Sequence, residues 1–231
     1  MKHIVMLLLV ITFSASAQSD MEKAEQHFKA QRWEQAKVLF EKCLKTSPNN
    51  NYVLECLGDI AGHQKNWDEA IKYYGQLKTL QNGNANYWYK YGGAMGMKAK
   101  SVNKFKALGL IDDVEAAFLK AAQLDPKHID SRWALVMLYL ELPGILGGSE
   151  TKAQKYATEL MALSKVDGYL SKGYIDEYFK RYAKAEVHYI KAHEIGNSKT
   201  TYQKLYTLYS IKLKNTEKAR KLKEAFEGKE S

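Results

Sequence analysis

A stretch of this chain recurs 34 positions downstream of itself. The segment Phe28-Lys29-Ala30-Gln31-Arg32-Trp33-Glu34-Gln35-Ala36-Lys37-Val38-Leu39-Phe40 aligns with Gly62-His63-Gln64-Lys65-Asn66-Trp67-Asp68-Glu69-Ala70-Ile71-Lys72-Tyr73-Tyr74. Trp33 pairs with Trp67, Ala36 with Ala70 and Phe40 with Tyr74, and the same spacing relates Ala185 to Ala219 near the other end. A unit this short cannot bury a core alone, so a chain made of such units must stack them on one another. In three of the copies a small residue precedes an aromatic by four positions: Ala36 and Phe40, Ala70 and Tyr74, Ala185 and Tyr189. That pattern predicts crossing helices whose backbones approach at the alanine while the ring fills the gap one turn on.

Further copies carry the pattern through most of the chain. Leu54, Leu57, Gly58, Ala70 and Tyr74 mark a second repeat; Trp88, Tyr91, Gly92, Ala121 and Leu124-Asp125-Pro126 a third; Gly173, Ala185, Tyr189 and Ala192 a fifth. Ala24, Ala36, Phe40 and Pro48 mark the first, Tyr206 and Ala219 the sixth. In these residues and in its period the chain resembles the tetratricopeptide repeat family, of the exported bacterial type. The resemblance implies an all-α, right-handed superhelical solenoid of about six helix-turn-helix repeats, read as one domain over residues 18–231. With 45% hydrophobic residues, 16 Tyr and 4 Trp the chain has the apolar side chains to fill such a core, and 3 Pro with 2 Cys exclude proline-rich and disulfide-dense scaffolds. Two departures stand out. Repeat 3 carries a surplus at residues 98–111, either an extension of both helices or a mobile basic loop. Repeat 4 carries Leu142-Pro143-Gly144-Ile145-Leu146-Gly147-Gly148-Ser149, with Ser149 placed to cap the next helix.

Residues 1–17 read as a cleaved secretory signal peptide. Lys2 supplies the positive end, Ile4 to Phe13 an apolar run broken by Thr12, and Ala15-Ser16-Ala17 the small residues of a cleavage site. Ten helical residues span about 15 Å, half of a bilayer core, so the run is too short for an anchor. Gln18, not Cys, follows the cleavage point, which excludes a lipoprotein. The expected location is periplasmic or secreted, with no transmembrane segment in the mature chain.

The net charge of +9 sits partly at the C-terminal end, where residues 199–231 hold nine Lys or Arg against four Glu. Export argues against a nucleic-acid partner. A solvated terminal helix is the plain reading, and a peripheral contact of that basic helix with an acidic partner or anionic lipid is the other.

Specific chemistry is sought and not found. The Gly-rich segment before residue 150 lacks the Gly-Lys-Ser/Thr of a phosphate loop, since Gly148 is followed by Ser149-Glu150, and it is not a nucleophile elbow. His188 and His193 are five apart and fall on different helix faces. No catalytic residue, metal site or cofactor is expected. Cys43 and Cys56 could form a disulfide in an oxidising compartment, but Cys43 stands where Ala121 and Ala192 stand in other repeats, which fits a small buried side chain.

In the family, the first helix of each repeat lines a concave groove. Carrying those positions across gives Tyr52, Glu55, Asp59, His63, Asn86, Tyr89, Met97, Trp133, Met137, Glu141, Tyr174, Glu177 and Tyr178. Rings with intervening carboxylates suit an extended protein or peptide segment that is hydrophobic with basic residues. The paired Lys and Asn that some members use to clamp a C-terminal carboxylate are not evident. The expected function is a non-enzymatic, exported protein-interaction scaffold; the alternative is a small-molecule-binding accessory of a periplasmic transport system, suggested by the Gly-Gly-Ser loop and the Lys-Ala helix after it.

Overall fold

A computed structural model describes residues 20–228; the leader read at residues 1–17 lies outside them. The described residues form twelve α-helices and no strand. They run α1 (20–29), α2 (Trp33–Thr46), α3 (Asn51–His63), α4 (Trp67–Leu80), α5 (Ala85–Ser101), α6 (Lys104–Leu124), α7 (Ile129–Glu141), α8 (Glu150–Leu163), α9 (Lys165–Tyr178), α10 (Tyr182–Gly196), α11 (Lys199–Thr207) and α12 (Thr216–Glu227). Paired in order they make the six hairpins expected. No helix among the described residues is long and apolar enough to cross a membrane.

The chain divides after Leu124 into two compact units, α1–α6 and α7–α12. In the first, Ala24, Ala36, Phe40, Val53, Leu54, Ile60, Ala70 and Leu77 are wholly buried. In the second, Leu170, Ala185, Tyr189, Ala192, Leu205, Leu208 and Ala219 form a core cluster against which Trp133 packs. The repeated alanines Ala36, Ala70, Ala121, Ala185 and Ala219 are all buried, as the pattern predicts. Glycine marks a further point of close approach within the hairpins. A Cβ on Gly58 would stand 2.5 Å from the Tyr74 ring, and one on Gly173 would stand 2.4 Å from Tyr189. The aromatic of the second helix therefore lies directly over a bare backbone in the first.

The turn inside four hairpins shares one left-handed residue, and in three of them the hydrogen bonding is the same as well. Gln31, Lys65, Lys180 and Lys214 each adopt a left-handed backbone, with φ of 56°, 58°, 58° and 51°. The first two are 34 residues apart, and so are the last two. The left-handed residue bonds back three positions, as Lys65 N to Gly62 O at 3.0 Å, and the next residue bonds back five, as Asn66 N to Ala61 O at 2.8 Å and Arg181 N to Asp176 O at 2.8 Å. This is the Schellman closure that satisfies the last carbonyls of a helix. In the last hairpin a π-helical turn at Leu208–Lys212 adds a residue, and Asn215 N reaches Tyr209 O at 2.8 Å.

The two hairpins without that turn are those with insertions. The surplus at 98–111 is helical: α5 has 17 residues and α6 has 21, and only Val102 and Asn103 separate them. It is an extension of both helices, not a loop. The insertion at 142–149 is a structural turn, with a short 3-10 segment at Gly144–Leu146 and Gly147 at φ 93°. A Cβ on Gly148 would lie 1.8 Å from the Leu142 carbonyl oxygen, so the position requires glycine. Ser149 Oγ accepts from Lys152 N at 3.2 Å and caps α8, as expected. Cys43 and Cys56 are both buried and unbridged.

Candidate functional site

In the first unit, α3 brings Tyr52, Glu55, Asp59 and His63 onto one stripe by helical spacing. The two carboxylates do not face solvent alone. Lys90 on α5 places Nζ 2.7 Å from Glu55 Oε1, 2.7 Å from Asp59 Oδ1 and 3.1 Å from Asp59 Oδ2. Tyr74 donates its hydroxyl to Asp59 Oδ1 at 2.6 Å, and Tyr87 donates to Glu55 Oε2 at 3.4 Å. Burial opposes charge on Lys90, but hydrogen bonds to Asp59 and Glu55 outweigh it and hold the ammonium above the usual lysine range. Burial, then the neighbouring Asp59 charge, drive the Tyr74 phenol far above its ordinary value, so it remains a donor. The cluster has two carboxylates, one ammonium and two neutral phenols, and carries one net negative charge.

The other residues of this stripe divide. His63 stacks on Trp33 of the preceding hairpin at 4.4 Å between centroids and 11° between planes, a packing role. Tyr52 meets Phe40 edge to face at 6.3 Å yet remains 45% exposed. On α5, Asn86 and Tyr89 are half-buried, Tyr89 against Phe118 at 6.0 Å, and Met97 is exposed.

In the second unit, α7 presents Trp133, Met137 and Glu141, and α9 presents Tyr174, Glu177 and Tyr178. Trp133 donates its indole N–H to Asp167 Oδ1 at 2.8 Å and meets Tyr174 edge to face at 6.5 Å. Its ring is half-buried and joins two hairpins, so it is as much packing as surface. Lys204 lies over the Tyr174 ring at 5.5 Å. Glu177 accepts from Tyr189 Oη at 2.8 Å and has Lys212 Nζ at 3.8 Å. Met137 and Tyr178 stay open to solvent at 40% and 47%, and Glu141 is exposed beside Tyr174.

Sequence reasoning missed the cations of both faces. Lys90 lies four residues after Asn86, the helical interval that placed Tyr89 and Met97 nearby, and periodicity alone could have found it. Lys204 and Lys212 lie in the segment read as a solvated cap. Part of that segment's charge is met from outside it, Lys218 by Glu186 and Lys212 by Glu177, while Arg220 and Lys221 pair within it with Glu217 and Glu224. Among the described residues no group of His, Cys, Asp and Glu is arranged to hold a metal ion.

No protein-family model matches the chain. The human protein O-mannosyl-transferase TMTC3 is 23% identical over 199 residues, which is 82% of this chain and 21% of that protein, so the chain spans about a fifth of that relative's length. Among solved structures, the thermophilic TPR protein TTC0263 of Thermus thermophilus superposes with a TM-score of 0.66 at 17% identity, covering 85% of this chain and 98% of the other. PilW, a type IV pilus biogenesis factor, gives 0.66 at 15% identity over 92% and 93%. YrrB, a TPR protein with an unusual peptide-binding site, gives 0.53 at 15% over 79% and 87%. Repeat, turn geometry and these superpositions agree: the fold of the chain is the tetratricopeptide-repeat fold.

Proposed function

We propose that the chain is an exported, non-enzymatic scaffold that holds an extended peptide or loop of a partner protein on the first helices of its hairpins. The observation that carries this is on the second unit. Met137 and Tyr178, from successive first helices, keep 40% and 47% of their surface open beside the Trp133–Tyr174 pair. Unspent apolar surface next to fixed rings is what an anchor residue of a partner fills. The superposable YrrB has a peptide-binding site, which supports a binding role on this fold. Export rests on the leader at residues 1–17.

The chemistry of the partner follows from the paired carboxylates. Glu55, Asp59 and Glu177 are already met by Lys90 and Lys212. Recognition then rests on apolar anchors, with basic residues of the ligand secondary.

Selection of peptides from a random library on the full chain tests this. The selected peptides should carry aliphatic or aromatic anchors, and Met137→Ala with Tyr178→Ala should weaken them by more than about tenfold while melting is unchanged, since both side chains are exposed. Equal affinity for parent and double variant, or a library that yields no preference, would defeat the reading.

A further inference from the structure

The hairpin of α5 and α6 is longer than its neighbour and ends in side chains the fold does not use. α5 exceeds α3 by four residues and α6 exceeds α4 by seven. At the helical rise this is an overhang of roughly 6 to 10 Å. At its end Phe105, the second residue of α6, is 87% exposed, and Leu108, one helical turn along the same face, is 44% exposed. Lys104 and Lys106 flank Phe105 and are exposed. Lys98, lower on the hairpin, is engaged by Asp68. The surroundings in sequence share that sign. Between Glu69 and Asp112 there is no acidic residue and there are seven lysines, at 72, 78, 90, 98, 100, 104 and 106.

A lone exposed apolar residue is ordinary. Here two lie in line at a projecting end, with an ammonium on either side of the larger, inside a stretch free of negative charge. We propose that this tip, residues 100–108, docks on an anionic phospholipid surface, Phe105 and Leu108 entering the interfacial layer while Lys104 and Lys106 meet lipid phosphates. Lysine stems are long enough to lie along the ring while the charged ends stay at headgroup level. A protein partner is the weaker fit. A stable protein interface covers about 800 Å² on each side with matched shape, and a helical tip of a few residues offers far less. A bilayer requires charge and an apolar layer but no matching contour. The inference is independent of the peptide reading and uses none of its residues.

The test is hydrogen exchange of the full chain, read at the tip, with vesicles of phosphatidylglycerol and phosphatidylcholine and with phosphatidylcholine alone. The local readout separates the tip from any association of residues 1–17. The first amides of α6 have no intrahelical acceptor, with Lys106 N held by Asn103 Oδ1 at 3.0 Å, so exchange there responds to contact. Residues 100–108 should slow with anionic vesicles and not with neutral ones. Phe105→Ser should lower the partition by about tenfold, and Lys104→Gln and Lys106→Gln by about fivefold each. Phe105→Trp should retain it. All of these positions are exposed, and circular dichroism should show unchanged helix. Unaltered tip exchange with every vesicle, protection equal on neutral and anionic lipid, or protection by an acidic protein or an oligonucleotide in place of lipid would each overturn the proposal.

Discussion

At the scale of single residues, two glycines set how closely paired helices approach. Gly58→Ala and Gly173→Ala each drive a methyl into a buried tyrosine ring, and each should destabilise by about 1–3 kcal/mol in a denaturant titration. Gly62 is the control: nothing lies within 4 Å of its absent Cβ, so Gly62→Ala should leave stability unchanged or raise it by about 0.5–1 kcal/mol. His188 gives a pH signature. Its Nδ1 is buried without a hydrogen-bond partner, its Nε2 is 3.4 Å from Asp176, and burial lowers its pKa below the ordinary 6.5 against the pull of Asp176. The unfolded chain then takes the proton first, so stability is full above that ordinary value and declines as pH falls below it. Melting temperature should drop between about pH 7 and 5, and His188→Gln should flatten the drop. The aromatic and carboxylate positions of both faces were legible from repeat register. Their partners were not, because Lys90, Tyr74 and Tyr189 reach Glu55, Asp59 and Glu177 from other helices, and a register projected from single helices does not show which side chains meet.

At the scale of elements, the helices follow from what the letters repeat. The alanine–aromatic spacing places the second helix of a hairpin, as in α2, α4 and α10, and Pro143 with three glycines marks a break that the structure turns into a short 3-10 turn. The surplus at 98–111 was ambiguous in sequence because lysines and alanines suit an exposed helix and a loop alike; contact between the lengthened helices decides for helix. The left-handed turns were invisible. Glycine would have announced them, but Gln31, Lys65, Lys180 and Lys214 occupy those positions, each bearing the steric cost of a Cβ at positive φ. Lys65→Gly and Lys180→Gly should therefore each stabilise by about 0.5–1 kcal/mol, measured by thermal melting, while Ala at the same positions should not.

At the scale of the whole chain, stability should be graded rather than uniform. α3 and α7 each bury seven residues, whereas α12 buries Ala219 alone. Native-state hydrogen exchange should find the amides of α12 opening well before those of α3 and α7, and an even profile along the chain would contradict a stack held by nearest neighbours. The shared turn has one more consequence. Three hairpins close through the same pair of backbone bonds, and none of the residues at their left-handed corners, Gln31, Lys65 and Lys180, is a glycine. The instruction for folding back is thus held in the spacing of the helices on either side, and no residue at the corner encodes it. The spelling of those corners is free to drift while the shape they produce is copied, so two chains can share this architecture long after their letters have ceased to agree.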